Sequence, residues 1–161
     1  MTDFQKIIVA LSDAGVEFII VGGLAATAHG SARLTQDVDA VYARTPDNVD
    51  RVVRSLAPFE PYLRGAPPDL PFEWSRGTIE QGLNFTLTTT IGDIDLLGEI
   101  TGGGGYDDLL PHCVELEFFG RVCNCLDLPT LIRVKRAAGR PRDLEVIAEL
   151  EALLEEREKT P

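Results

Sequence analysis

The stretch from Phe18 to Tyr42 limits what this chain can become more than any other part of it. An apolar run, Phe18-Ile19-Ile20-Val21, breaks at Gly22 and Gly23, and an Ala-rich segment follows to His29 and Gly30. Arg33-Leu34-Thr35-Gln36 then leads into Asp37-Val38-Asp39-Ala40-Val41-Tyr42, a second apolar strand carrying two acids. The order is strand, glycine turn, short helix, strand. Side chains at i and i+2 of a strand share a face, so Asp37 and Asp39 converge on one point. Two converging carboxylates repel unless a cation or a shared proton lies between them. A helix that starts at paired glycines offers free backbone N–H groups with no side chain in the way, which suits a phosphate. Together these features point to metal-assisted phosphoryl or nucleotidyl chemistry.

A site of that kind needs further oxygen ligands from a neighbouring strand. Asp95, inside Ile94-Asp95-Leu96-Leu97, is an acid in an apolar strand, a costly placement without a metal or base beside it. Asp93 shares its strand face but adjoins Gly92, where turn acids are common. Asp95 is therefore the expected third ligand. Arg33, just upstream of the acid pair, is a candidate partner for a bound triphosphate.

The remaining elements follow from periodicity. Phe4, Ile7, Ile8 and Leu11 recur at helical spacing, with Gly15 as the stop, and the first strand covers 17–21. Thr45-Pro46-Asp47 opens a helix whose inner stripe is Val49, Val52, Val53 and Leu56, with Pro58 as its stop. Five prolines between Pro58 and Pro71 mark that segment as a connection rather than a core element. Phe85–Thr88 alternates as a strand, Gly92 turns the chain, and Ile94–Leu97 continues as another. Thr101–Gly105 reads as a flexible glycine loop. Val114–Phe118 and Val122–Leu126 alternate around Gly120 as a hairpin. Two helices, about 129–138 and 141–157, close the chain, with Gly139 ending the first and Pro141 in the first turn of the second.

Length and charge exclude some classes. At 161 residues the chain is expected to form one domain, 1–161, with a sheet-bearing part over 1–127 and a helical pair over 128–161. No apolar run approaches a membrane span, and Met1-Thr2-Asp3-Phe4 lacks the base and apolar stretch of a signal peptide. Three cysteines, an odd number, fit a reducing compartment, so a cytoplasmic location is expected. A net charge of −11 disfavours general nucleic-acid binding, which rests on neutralising phosphates. Arg133, Lys135, Arg136, Arg140 and Arg142 nevertheless fall within ten residues, a local patch better suited to one nucleoside triphosphate than to a long polynucleotide.

With Gly22 and Gly23, then Asp37 and Asp39, then Asp95 in place, the chain resembles the nucleotidyltransferase superfamily that includes DNA polymerase beta. Within it, the chain is similar to the bacterial minimal nucleotidyltransferases and the AbiEii-type toxins. The run from Leu128 to Leu144 resembles the tail of those toxin-like proteins, where a lysine and a following aspartate accompany the active site. Here these are Lys135 and Asp143. The resemblance implies an α/β (α+β) nucleotidyltransferase fold, a mixed, antiparallel-rich sheet backed by helices with two C-terminal helices. It implies transfer of a nucleoside monophosphate from a nucleoside triphosphate to an acceptor hydroxyl, with Asp37, Asp39 and Asp95 holding Mg²⁺ or Mn²⁺. Gly22, Gly23, Arg33 and Lys135 would bind the nucleotide. The acceptor is a protein, a small molecule or a tRNA, with the first two ranked above tRNA. A toxin–antitoxin setting, a partner protein and a homodimer all stay open, and a membrane is not expected. The chain departs from the pattern at Gly23, where many active relatives carry serine. A catalytically inactive nucleotide-binding or antitoxin-like interaction protein is thus the alternative.

Several residues have plainer readings. The cations around Lys135 fit a solvated helix face, and Asp143 fits a helix N-terminus. Cys113, Cys123 and Cys125 read as buried thiols rather than a zinc site. His29 reads as the last turn of a helix and not as a base. Gly102–Gly105 lacks the ending of a P-loop. Trp74 is packing or a groove wall.

Overall fold

Period-two alternation decides which face of the central sheet is dry. Along the second, fourth and fifth strands, Val38, Ala40, Phe85, Leu87, Ile94 and Leu96 are buried, while Asp37, Asp39, Thr86, Thr88, Asp93 and Asp95 alternate with them on the other face. The computed structural model describes residues 1–159, so Thr160 and Pro161, the end of the expected helical pair, lie outside the described residues.

The elements in order are α1 (Phe4–Asp13), β1 (Phe18–Val21), α2 (Gly22–Ala28), β2 (Asp37–Tyr42), α3 (Pro46–Leu56), β3 (Tyr62–Leu63), α4 (Arg76–Gln81) and β4 (Asn84–Thr89). Then follow β5 (Gly92–Leu97), β6 (Glu99–Ile100), β7 (Gly104–Gly105), α5 (Tyr106–Leu109), β8 (Cys113–Phe118), β9 (Arg121–Leu126), α6 (Leu128–Ala138) and α7 (Leu144–Lys159). Seven strands form one sheet in the order β3-β4-β5-β2-β1-β9-β8. The pairs β2–β5 and β1–β9 are parallel and the other four antiparallel, so the sheet is mixed and antiparallel-rich, as expected.

Local chemistry sets the helix ends. Asp3, Thr45, Ser75 and Asp127 each accept a hydrogen bond from a backbone N–H in the first turn of the helix they precede. Gly139 closes α6 at φ +66°, a conformation that costs an L side chain energy. The β8–β9 hairpin turns through Phe119 and Gly120, both at positive φ, which matches the twist of its strands.

The core is one cluster that joins α1, α3, the inner sheet residues, α6 and Leu150 of α7. Trp74 packs against that cluster and donates its ring N–H to the Val53 carbonyl at 2.9 Å, so it is packing.

Three expectations need correction. The proline-rich segment is more than a connection, because Tyr62 and Leu63 pair with Thr88 and Leu87 as the edge strand β3. The glycine loop is partly ordered: Gly104 and Gly105 pair with Ile100 and Glu99, and a side chain on Gly102 would strike Ala137 of α6. Small residues let that loop press against a helix, and sequence pattern alone reads such composition as freedom. The last helix begins at Leu144, because Pro141–Asp143 forms a 3₁₀ turn. The helix from Pro46, by contrast, ends at Leu56 as its stripe and stop imply, with Pro58 in the 3₁₀ turn that follows. Short α4 and α5, without a long apolar stripe, escape periodicity altogether.

Candidate active site

The strand register gathers the acids. Val21, Asp39 and Asp95 are direct neighbours across β1, β2 and β5, and Asp37 lies opposite Asp93. The carboxylates of Asp37, Asp39 and Asp95 each offer an oxygen, and these oxygens lie within 4.8 Å of one another. The three expected acids therefore form one cluster, all partly buried. Asp93, set aside as a turn acid, sits beside it. The Asp93-Ile94-Asp95 triplet repeats Asp37-Val38-Asp39, a signal that was available in the sequence.

Gly22 fixes the inner wall. Its φ is +65°, and a Cβ there would sit 2.0 Å from Asp39 Oδ2, so the turn and the acid occupy space that only glycine leaves free. Helix α2 begins here without a side-chain cap. Its first N–H groups therefore have no intrahelical partner and no capping oxygen. Helix α2 has only seven residues, so these individual N–H groups matter more than any helix dipole. At Gly23, a Cβ would meet Thr35 Oγ1 at 2.5 Å. The space that a serine would need is filled by Thr35.

Electrostatics make the cluster costly without a cation. Asp39 is pushed up to about 8, first by burial, then by the charges of Asp37 and Asp95, with Lys135 opposing. One of its oxygens, Oδ1, is buried and has no hydrogen-bond partner. Asp37 is also raised, chiefly by burial and by Asp95, while Arg64 pulls the other way. An orphaned buried oxygen within a set of hard oxygen donors is what a divalent cation such as Mg²⁺ or Mn²⁺ requires. The residues fit such an ion.

Two cations flank the acids. Arg64 lies 2.9 Å from Asp95, 3.4 Å from Asp93 and 3.6 Å from Asp37. Sequence reasoning missed it. The only hint was its position as the lone cation between Arg54 and Arg76. Lys135 of α6 stands on the other side, where it lines a cavity of about 440 Å³ with Gly22, Asp39, Asp95, Glu99 and Arg140. Thr101, at the start of the glycine loop, lines the same cavity. Lys135 forms no salt bridge among the described residues, yet its charge acts on Asp39.

Other expected residues lie apart from the cluster. Arg33 pairs with Glu145 at 3.1 Å and Glu149 at 3.8 Å, both on α7. It braces the loop after α2 and does not line the cavity. Asp143 is buried and pairs with Arg140 at 2.7 Å, as a structural acid. His29 is buried with Nε2 2.7 Å from the Leu126 carbonyl, away from any role as a base. The cysteines are free thiols, and burial pushes Cys113 up to about 11 and Cys125 up to about 12.

No protein-family model matches the sequence, and no curated protein matches it either. Solved structures do. A candidate nucleotidyltransferase from Thermotoga maritima, TM1012, superposes with a TM-score of 0.56 at 15% identity, over 90% of this chain and 88% of that one. ANT(2″)-Ia in complex with adenylyl-2″-tobramycin gives 0.55 at 15% identity, over 92% and 83%. The solution structure of the antibiotic-resistance factor ANT(2″)-Ia gives 0.53 at 14% identity, over 95% and 89%. The chain has the nucleotidyltransferase fold. At such low identity the likeness carries the backbone architecture and leaves the chemistry to the residues in the cavity. Among the described residues, no helix is long and apolar enough to cross a membrane.

Proposed function

We propose that this chain transfers a nucleoside monophosphate from a nucleoside triphosphate to an acceptor hydroxyl. The observation that carries the reading is the convergence of Asp37, Asp39 and Asp95 beside the uncapped Gly22 turn. Asp37, Asp39 and Asp95 hold the divalent cation, Mg²⁺ or Mn²⁺. When bound, that ion offsets negative charge on the triphosphate and lowers the pKa of the attacking hydroxyl. The backbone N–H groups of Gly22 and Gly23 steady the triphosphate, and Lys135 neutralises its outer charge. The acceptor oxygen bonds to the α-phosphorus and the bond to the β-phosphate oxygen breaks. Pyrophosphate leaves, and the hydroxyl proton passes to a carboxylate of the cluster. Arg33, held by α7, has no part in this scheme.

For the acceptor, we rank a small molecule or protein side chain above tRNA. The cavity is of small-molecule size, and ANT(2″)-Ia, one of the structural neighbours, is seen with an adenylylated small molecule. Arg136 and Arg140, which a tRNA end would need, are already paired with Glu151 and Asp143. We place the activity in one cytoplasmic domain and leave a toxin–antitoxin partner or a second copy of the chain as its setting.

A second reading, nucleotide binding without turnover, draws support from Gly23, because Thr35 fills the space of the usual serine hydroxyl. Incubation with labelled nucleotides, Mg²⁺ or Mn²⁺ and candidate acceptors separates the two. Label transferred by the wild type and lost in Asp39→Ala supports the enzyme. Nucleotide binding by calorimetry with no transfer to any acceptor supports the second reading.

A further inference from the structure

We propose that Arg64 is the resting counter-ion of the acid cluster, and that its guanidinium must leave Asp95 and Asp37 for the site to load a divalent cation. The inference rests on the reading above for the identity of that cation.

The placement of Arg64 is built by the sheet. Its backbone N–H bonds to the Thr86 carbonyl at 3.0 Å, continuing the β3–β4 ladder by one residue. Thr86 lies opposite Asp95, and Asp95 opposite Asp39, so Arg64 stands in the same cross-strand row as two of the ligands. The next row runs Thr88, Asp93, Asp37. The intervening residues on that face, Thr86 and Thr88, are short, which leaves a lane for a long side chain to cross. The guanidinium uses it to meet three carboxylates and also donates to the Leu87 carbonyl at 2.7 Å.

That contact competes with metal binding. The hydrogen bond to Asp95 Oδ1, at 2.9 Å, occupies an oxygen of a proposed ligand. A cation between the carboxylates would also face the positive guanidinium a few ångströms away, and like charges so close repel. The fit of Arg64 is imperfect as well. Its Nε is buried without a hydrogen-bond partner, although Asp93 lies 3.4 Å from it. The Arg64 side chain itself is 28% exposed, so the way to solvent is open.

The test is Mn²⁺ binding by calorimetry on the full chain without nucleotide, for wild type, Arg64→Gln, Arg64→Lys and Arg76→Gln. Arg64→Gln should bind Mn²⁺ roughly tenfold or more tightly, since a neighbouring unit charge shifts such equilibria by about one to three decades. Arg64→Lys keeps the charge and should stay near wild type. Arg76→Gln removes the same charge at a remote pair with Asp50 and Glu80 and should change nothing. Equal or weaker binding in Arg64→Gln, an equal gain in Arg76→Gln, or no binding in any variant overturns the proposal. If Arg64→Gln does not fold, the wild type still decides. The Arg64 Nε–H resonance, assigned by its loss in Arg64→Lys, should shift on Mg²⁺ titration, and a resonance that stays in place at saturation overturns the proposal. Tighter Mn²⁺ binding with no nucleotidyl transfer keeps this inference and removes the reading it rests on. Transfer with equal Mn²⁺ affinities does the reverse.

Discussion

The two cationic flanks of the acid cluster are unlike each other. Arg64 is engaged by Asp37, Asp93 and Asp95 at hydrogen-bond and ion-pair distances. Lys135 stands across the cavity, near enough to act on Asp39 but in no salt bridge among the described residues. The difference follows from their scaffolds. Arg64 continues an edge strand and is held in register with the acids, whereas Lys135 is carried on a helix that faces them. A cation already bound to carboxylates balances the resting site. One held back can meet an anionic ligand.

The largest effect that would break this comparison is expected at the acids themselves. Asp39→Ala should lower nucleotidyl transfer by roughly 10²–10³-fold or more, the scale of losing one preorganised electrostatic group. Single-turnover assays with labelled nucleotide measure it, and retention of wild-type rate would remove Asp39 from the chemistry.

The next effect is on stability and pH. Asp39 is raised from 3.8 to about 8, so between those values the folded chain keeps a proton that the unfolded chain has released. The folded state then binds more protons, and stability in the absence of divalent ions falls as pH rises through that window. Asp37, also raised, adds to the fall. Denaturation at several pH values should show the decline, and Asp39→Asn or saturating Mg²⁺ should flatten it. A profile unaffected by Asp39→Asn would contradict the assignment.

Lys135→Ala sharpens the contrast between the flanks. It should weaken nucleotide binding by roughly 10–100-fold, the worth of a hydrogen bond to a charged group. Calorimetry with a non-hydrolysable triphosphate is the measurement, and unchanged affinity would return Lys135 to a solvated helix face.

Gly23→Ser asks whether the missing hydroxyl can be restored. The new side chain meets Thr35, so a loss of about 1–3 kcal/mol in stability is expected, as for overpacking. Thr35→Ala in the same chain should recover part of it. A fully stable Gly23→Ser variant would show that the loop yields easily.

The smallest effect should come from Arg33. Its partner Glu145 is exposed and Glu149 half-buried, and Arg33→Ala should cost at most about 1 kcal/mol while leaving nucleotide affinity unchanged. A clear loss of affinity would bring Arg33 back to the triphosphate.

The sequence by itself determined the elements whose signal is local. Alternation in β2, β4, β5 and the β8–β9 hairpin follows from one wet and one dry face, and the caps of α3 and α6 are written in neighbouring residues. Asp37 and Asp39 share a face because the strand period is two, and Asp95 stood out as an acid in an apolar strand. What a residue meets across the sheet depends on register, and register belongs to the tertiary structure. Asp95 comes beside Asp39 only because β5 pairs in parallel with β2. Arg64 was hidden in a proline-rich stretch because its role comes from strands more than twenty residues away. Arg33, next to the acids in sequence, was drawn off by α7 from more than a hundred residues downstream. Charges carry no period that announces their partners. Local geometry settled which acids point the same way, and only chain folding decided which cations face them.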